Sequence, residues 1–545
     1  MDTVLDRRAF LSGSLVTAAL VVSPAGRSPA WAAVAADELA RLSASELAGR
    51  LRAKKMSARE LVQAYLDRIS RHDDGPNGIN AYITVDPEGA RKEADRLDAL
   101  AGRGQWAGPL HGLPLAIKDN LDTRGLRTTG GSKILESWVP AEDASVVRRL
   151  RAAGGIVLGK TNLHEFAFGI TTNNPHYGPT RNPYDRTRIP GGSSGGSGAA
   201  VAAGLCAAAV GTDTGGSVRI PAALCGGVGL KPTLGRVGRG GMMYLSYTRD
   251  VIGPLTRTVR DAALLLGVMA GPDPQDIDAV SGAVPDYVRG LRTGLRGVRI
   301  GVPRKYFYED NDAEVARLTE QALQDLRRLG ATLVDVEVAS LDLAFPTGFA
   351  IVLPEAIYTV ERYLKRFDSG ATIDKYLPQF GSEVRMILGG QKGTDQAKPM
   401  PGYAYLEALH VNRPKVIAGF EQALSGVDAL VTPTTPLPAA PIGEDAETDL
   451  GGRKVNTFFT FIKDCDPVSV AGFPAISVPA GLTAAGLPVG VQLVGRPWEE
   501  GRLLGIAHAY EQGTGHARPP RPLTTPITQG SALITLSSVS GERVG

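Results

Sequence analysis

The sequence predicts an α/β protein: one large sheet covered by helices on both faces. Two observations carry this expectation. Short apolar runs with strand character alternate with amphipathic helical runs along most of the chain, with no internal repeat. The chain is also long and apolar enough for a large core, with 545 residues that are 43% hydrophobic and 21% charged.

The elements follow in order. SASELAGRLRAKKMSARELVQAYLDRI reads as two helices, each opened by a capping box, Ser43 with Glu46 and Ser57 with Glu60. In the second, Leu61, Tyr65, Leu66 and Ile69 recur at helical spacing, so one face packs onto something larger. PLAIKDN reads as a strand, SVVRRLRAAG as a helix, IVLGKTN as a strand and AAVAAGLCAAAVG as an apolar helix. VRIGVP, TLVDVEV, ALVTPTTP, AISVPAG and VGVQLVG are further strands, with AEVARLTEQALQDLRRLG a helix among them. Residues from about 340 to 425 form a helical insertion expected to shape a substrate pocket.

The two ends read differently. Arg7 and Arg8, the apolar run from Leu15 to Val22 and the small residues around Ala30 and Ala32 have the layout of a twin-arginine export signal. That run is too short for a permanent membrane span. The expected division is a signal over 1–36, one folded domain over 37–520 and a polar tail over 521–545. On this reading the protein is exported, periplasmic or secreted, and the twin-arginine export machinery is a partner.

Composition removes several functions. Lys+Arg 59 against Asp+Glu 56 leaves +3 with no block of like charge, so nucleic acid is not an expected partner. Cys206, Cys225 and Cys465 give neither a disulfide framework nor zinc spacing, so no metal is expected. They read as small packing residues, with a Cys206 to Cys225 bridge left open.

Glycine, with 67 residues in the chain, is dense between Pro190 and Thr233, where it forms two glycine-serine clusters, Gly191 to Gly198 and Gly215 to Ser217. Glycine there lets backbone N–H groups approach a ligand closely. Gly191-Gly192-Ser193-Ser194-Gly195 also matches the G-x-S-x-G nucleophile elbow, but the preceding TRNPYDRTRIP, with Pro183 and Pro190, is no buried strand. A Ser-His-Asp esterase centred on Ser193 would need His508 or His516. A non-catalytic exported binding protein is the other alternative.

LPLAIKDN, GGSSGGSG and GTDTGGSVRIPAALCGGVGLKPT together resemble the amidase signature family, and the likeness runs from roughly residue 40 to 510. The resemblance implies a mixed sheet in the amidase signature fold, with the amidase domain over 37–520. It implies a Ser-cisSer-Lys triad, with Ser217 as nucleophile, Ser193 as the bridging serine after a non-proline cis peptide, and Lys118 as base. Backbone N–H groups around Thr214, Gly215 and Gly216 would form the oxyanion hole, and Ser194 would support the site by a hydrogen bond to Lys118 or as a turn residue. The implied activity is hydrolysis of a carboxylic amide to acid and ammonia or amine through an acyl-enzyme, with no cofactor.

The chemistry of the residues agrees. A serine hydroxyl needs a base, and a lysine serves only when neutral, at a cost of roughly 4 kcal/mol near neutral pH. Burial beside Ile117 favours that state; an ionised Asp119 beside the amine would oppose it. Strand alternation should therefore turn Asp119 away from Lys118. SYTRDVIGPLTR, with Arg249 and Asp250, is similar to the equivalent stretch of indoleacetamide and mandelamide hydrolases, which suggests an aryl-substituted acetamide; the alternative for these two residues is a structural ion pair. Phe345, Phe349, Ile351 and Tyr358 are candidate acyl-pocket residues of a small-molecule amide substrate, and a homodimer is compatible with the sequence.

Overall fold

The computed structural model describes residues 37–75, 77–280, 282–393 and 399–519; the twin-arginine segment and the C-terminal tail lie outside these. Eleven strands form one mixed sheet. They are β1 (Tyr82–Val85), β2 (Pro114–Lys118), β3 (Ile156–Thr161), β4 (Ala208–Asp213), β5 (Val228–Lys231), β6 (Val251–Thr256), β7 (Arg299–Val302), β8 (Thr332–Asp335), β9 (Ala429–Pro433), β10 (Ala475–Leu482) and β11 (Pro488–Val494). Across the sheet the order is β1-β3-β2-β4-β6-β5-β10-β11-β9-β7-β8. The β3-β2-β4 and β9-β7-β8 neighbours are parallel and the remaining pairs antiparallel. Strands β2, β3, β4, β5, β6, β9 and β11 are buried throughout, as expected of a sheet covered on both faces.

Both capping boxes form. They open helices α1 (Ala44–Arg52) and α2 (Ala58–His72), and Leu61, Tyr65, Leu66 and Ile69 are buried on one face of α2. The expected helix AAVAAGLCAAAVG is instead two elements. Helix α3 (Gly195–Ala202) ends before Gly204, whose φ of +64° suits glycine, and the chain returns as β4. The two glycine-serine clusters therefore meet by a helix inward and a strand back. Strands β1, β4, β5 and β6 escaped the sequence reading. In β6, Pro254 argues against a central strand, but pairing on the β5 side begins only at Leu255.

The insertion is helical as expected. Its main helices here are α5 (Ala344–Phe367) and α6 (Ser382–Lys392), which follow the short α4 (Arg219–Leu224) in the chain. Leu341–Phe367 is the stretch among the described residues long and apolar enough to cross a membrane; half of its most apolar window is buried in the protein, and it carries a buried carboxylate, Glu355. Glu165 Oε2 accepts the Gly381 N–H at 2.8 Å and Glu383 Oε2 lies 2.9 Å from His164 Nε2, so the insertion is tied to the glycine-rich side of the sheet.

The packing of α3 sets a sharp contrast between glycines. A Cβ on Gly196 would lie 2.4 Å from the Asn162 carbonyl oxygen and 2.5 Å from that of Ala81, whereas one on Gly49 meets nothing within 4 Å. Gly196→Ala is expected to lower unfolding free energy by about 2 kcal/mol or more, and Gly49→Ala to raise it by about 0.5–1 kcal/mol, both measured by urea unfolding.

Candidate active site

Parallel pairing sets the carboxyl ends of β2 and β4 side by side, the place where open α/β sheets collect ligands. Lys118 ends β2, fully buried, with Nζ 2.8 Å from both Ser193 Oγ and Thr212 Oγ1. Asn120 Nδ2 donates to the same Thr212 hydroxyl at 3.1 Å. Burial pulls the Lys118 amine down to about 7, against the attraction of the Asp250 and Asp213 carboxylates. Asp119 turns away as alternation requires: it pairs with Lys160 Nζ at 3.0 Å and accepts the Thr129 N–H at 3.0 Å.

The two serine segments converge on this lysine. The Gly192–Ser193 peptide is cis. The Ser193 carbonyl accepts the His164 N–H at 3.1 Å, and the Ser194 N–H donates to the Ser217 carbonyl at 3.3 Å. Ser194 differs from the expected contact with Lys118. Its hydroxyl donates to the Thr212 carbonyl at 3.1 Å and accepts the Thr212 N–H at 3.3 Å, so it holds the residue whose side chain meets Lys118. Thr212 lies inside the GTDTGGS motif, but its place beside Lys118 depends on strand β4, whose small residues carry no strand signal in the sequence.

The loop bearing Ser217 is pinned by a buried ion pair. Arg219 Nε and Nη2 donate to the two Asp213 carboxylate oxygens at 3.0 and 2.9 Å, and that carboxylate also accepts the N–H groups of Gly216 at 2.7 Å and Val218 at 3.2 Å. Burial pushes Asp213 up, but the Arg219 guanidinium, the Lys231 amine and the Val218 N–H hold it at about 2. The Gly216 amide, expected to face a substrate oxygen, is thus engaged by Asp213. The amides of Gly215 and Ser217 have no acceptor among the described residues. Thr214 places its hydroxyl on Asp250 Oδ1.

Above this loop lies a cavity of about 720 Å³, lined at its base by Thr214, Gly215 and Ser217. Ser217 reaches it, whereas Ser193 and Lys118 lie behind and are fully buried. Helix α5 supplies a wall through Gly348, Phe349, Val352 and Leu353, with α6 and α7 (Thr457–Ile462) beside it. Of the four acyl-pocket candidates, Phe349 lines the cavity. Phe345 packs on it with ring centroids 4.8 Å apart, one helical turn away. Ile351 faces a separate buried cluster and Tyr358 is 57% exposed, because both lie on other faces of the same helix.

Arg249 and Asp250 do not pair with each other. Arg249 Nη2 donates to Asp466 Oδ1, at the start of α8 (Asp466–Ala471), while Asp250 accepts the N–H groups of Leu245 and Ser246 at 2.7 and 3.0 Å. His508 Nδ1 sits 2.8 Å from the Arg292 carbonyl, and His516 Nε2 2.8 Å from Asp325. Neither lines the cavity, so a Ser-His-Asp arrangement on Ser193 finds no support. Cys206, Cys225 and Cys465 are free and buried.

The fold is one that amide-cleaving enzymes share, as the comparisons with known proteins show. The amidase family model matches residues 60–504, and the chain belongs to that family. It is 43% identical to the A subunit of the glutamyl-tRNA(Gln) amidotransferase of Carboxydothermus hydrogenoformans, over 88% of this chain and 98% of that one. Two solved structures are similar. One is the peptide amidase of Stenotrophomonas maltophilia, with 35% identity, a TM-score of 0.77 and coverage of 88% of this chain and 98% of that one. The other is the Thermotoga maritima glutamyl-tRNA(Gln) amidotransferase A subunit, with 34% identity, a TM-score of 0.71 and the same coverage, 88% and 98%. These relatives correct the exported location. Subunits of an enzyme for glutamyl-tRNA(Gln) point to a cytoplasmic protein and away from the twin-arginine export machinery as a partner. They also give no support to an aryl-substituted acetamide as the substrate.

The buried amine gives a prediction independent of catalysis. Lysine holds its proton to about 10.5 when unfolded and to about 7 here, so the unfolded chain binds more protons between those values and stability rises with pH across that window. Below it the full penalty is present. Lys118→Met should therefore gain stability relative to the parent at about pH 6, an advantage that shrinks by on the order of 3 kcal/mol by about pH 9.5. Urea unfolding at the two pH values measures this.

Proposed function

We propose that the chain hydrolyses a carboxylic amide to acid and ammonia or amine through a Ser-cisSer-Lys triad of Ser217, Ser193 and Lys118. The observation that carries the reading is the buried Lys118 amine, 2.8 Å from Ser193 Oγ and pulled down to about 7. A lysine in that state is neutral in part at physiological pH and can accept a proton. Ser217 Oγ attacks the amide carbonyl while its proton passes to Ser193 and the Ser193 proton to Lys118. The amides of Gly215 and Ser217 hold the developing oxyanion, with Thr214 beside them; Gly216 serves the same loop by binding Asp213. The relay then runs in reverse. Ser193 delivers a proton to the leaving nitrogen, the C–N bond breaks, and an acyl group remains on Ser217. Water, deprotonated by the same relay, attacks the ester carbonyl and releases the acid. The small-molecule amide enters over Phe349 and the insertion.

A second reading has its own support: the 43% identity to an amidotransferase A subunit extends over 98% of that protein. On that reading the ammonia released passes to an acceptor held by other subunits, and glutamine is the amide cleaved.

Ammonia release from a panel of primary amides, peptide amides and glutamine tests both. Ser217→Ala is expected to lower the rate about 10⁴-fold or more. The wild-type kcat/KM should rise with pH through about 7, as Lys118 loses its proton. His508→Ala should leave release unchanged, whereas a Ser-His-Asp enzyme would lose it.

A further inference from the structure

The cavity wall beside Gly215 holds an ion pair that the chemistry above does not use. Arg249 and Asp466 are 3% and 4% exposed, and both line the cavity. Their pairing is single: Arg249 Nη2 to Asp466 Oδ1. Asp466 Oδ2 and Arg249 Nε are buried with no hydrogen-bond partner among the described residues. A buried carboxylate oxygen without a donor is unfavourable, so such an atom at a binding cavity is an acceptor awaiting a donor.

Two glycines let the backbone pack directly against this carboxylate at the cavity wall. A Cβ on Gly348 of α5 would stand 2.8 Å from Asp466 Oδ2 and 2.7 Å from Arg249 Nη1. A Cβ on Gly215 would stand 3.0 Å from Asp466 Oδ1. The second distance puts Asp466 against the loop that carries Ser217, within the reach of a substituent on the first carbons of the acyl group. Asp466, Asp445, Glu383 and Glu165 set four carboxylates around the cavity against the Arg249 guanidinium and the His164 imidazole, which pairs with Glu383 at 2.9 Å, so the lining is acidic on balance and favours a cationic or donor-rich ligand over an anionic one.

We propose that Asp466, held in place by Arg249, is a specificity residue that accepts a hydrogen bond from an amino group beside the scissile carbonyl, so that the preferred substrates are α-amino amides with an apolar side chain. The proposal rests on the amide-hydrolase reading above. The side chain lies against Phe349 and Val352, and the amino group faces Asp466.

L-leucinamide and its desamino counterpart 4-methylpentanamide differ only in that amino group. For the wild-type chain, kcat/KM for leucinamide should exceed that for 4-methylpentanamide at least about tenfold, since a site built for a donor rejects the analogue lacking it. In Asp466→Asn the ratio should fall to within about threefold of unity. A wild-type ratio near one overturns the proposal, whether or not the variant folds. If the wild type cleaves no amide of the panel, the hydrolase reading has failed, and calorimetric binding of the two amides to Ser217→Ala decides recognition by itself: equal affinity overturns the proposal, tighter leucinamide binding upholds it.

Discussion

The ion pair between Asp213 and Arg219 is the constraint on which the candidate site depends. Taking both charges out of water is costly, and the arrangement stands because almost every hydrogen-bonding position is filled. Besides Asp213, Arg219 donates to the Cys465 carbonyl at 3.1 Å, Gln492 Oε1 at 2.5 Å and Ser469 Oγ at 2.7 Å. Gln492 in turn donates to Thr432 Oγ1 and to the Asp464 carbonyl, both at 3.0 Å. The network therefore joins the end of β4, the Ser217 loop, α4, α8, β11 and β9. Removing one partner would strand a buried charge, typically about 3–5 kcal/mol, and would free the loop whose amides face the cavity.

Against that fixed frame, two neighbouring lysines show how surroundings divide one chemistry into two. Lys118 and Lys160 lie on the paired strands β2 and β3, and burial pulls both amines down. Lys160 has the Asp119 carboxylate at 3.0 Å, plus the Leu121 carbonyl and the Thr128 hydroxyl. Lys118 touches two hydroxyls and no carboxylate, and Asp250 and Asp213 act on it only from a distance. A single alternation of the strand, which sends Asp119 to the other face, separates a structural cation from an amine suited to exchanging protons.

Much of this is legible in the amino-acid sequence, and what is legible is local. The capping boxes at Ser43 and Ser57, the opposed directions of Lys118 and Asp119 and the helical character of residues 340 to 425 follow from neighbours a few positions apart. The glycine-serine clusters announce a site through composition alone. What escapes depends on pairing over long separations. Arg249 finds its partner 217 residues away, at Asp466, where the sequence offers the adjacent Asp250. Thr212 and Ser194 meet because α3 and β4 fold back on each other, and small residues such as those of Ala208–Asp213 give no strand signal. On α5, Phe349, Ile351 and Tyr358 are alike in chemistry; only the rotation of the helix against the sheet separates the wall residue from the other two.

The cavity is assembled from parts of the chain that lie far apart in sequence. Lys118, both serines and the Asp213–Arg219 pair fall within about a hundred consecutive residues on the sheet, whereas the walls come from α5, α6 and α7, more than a hundred residues downstream. Rebuilding the walls need not disturb Lys118, Ser193 or Ser217. Such a division lets the range of admitted molecules change with the walls while the residues on the sheet stay where they are.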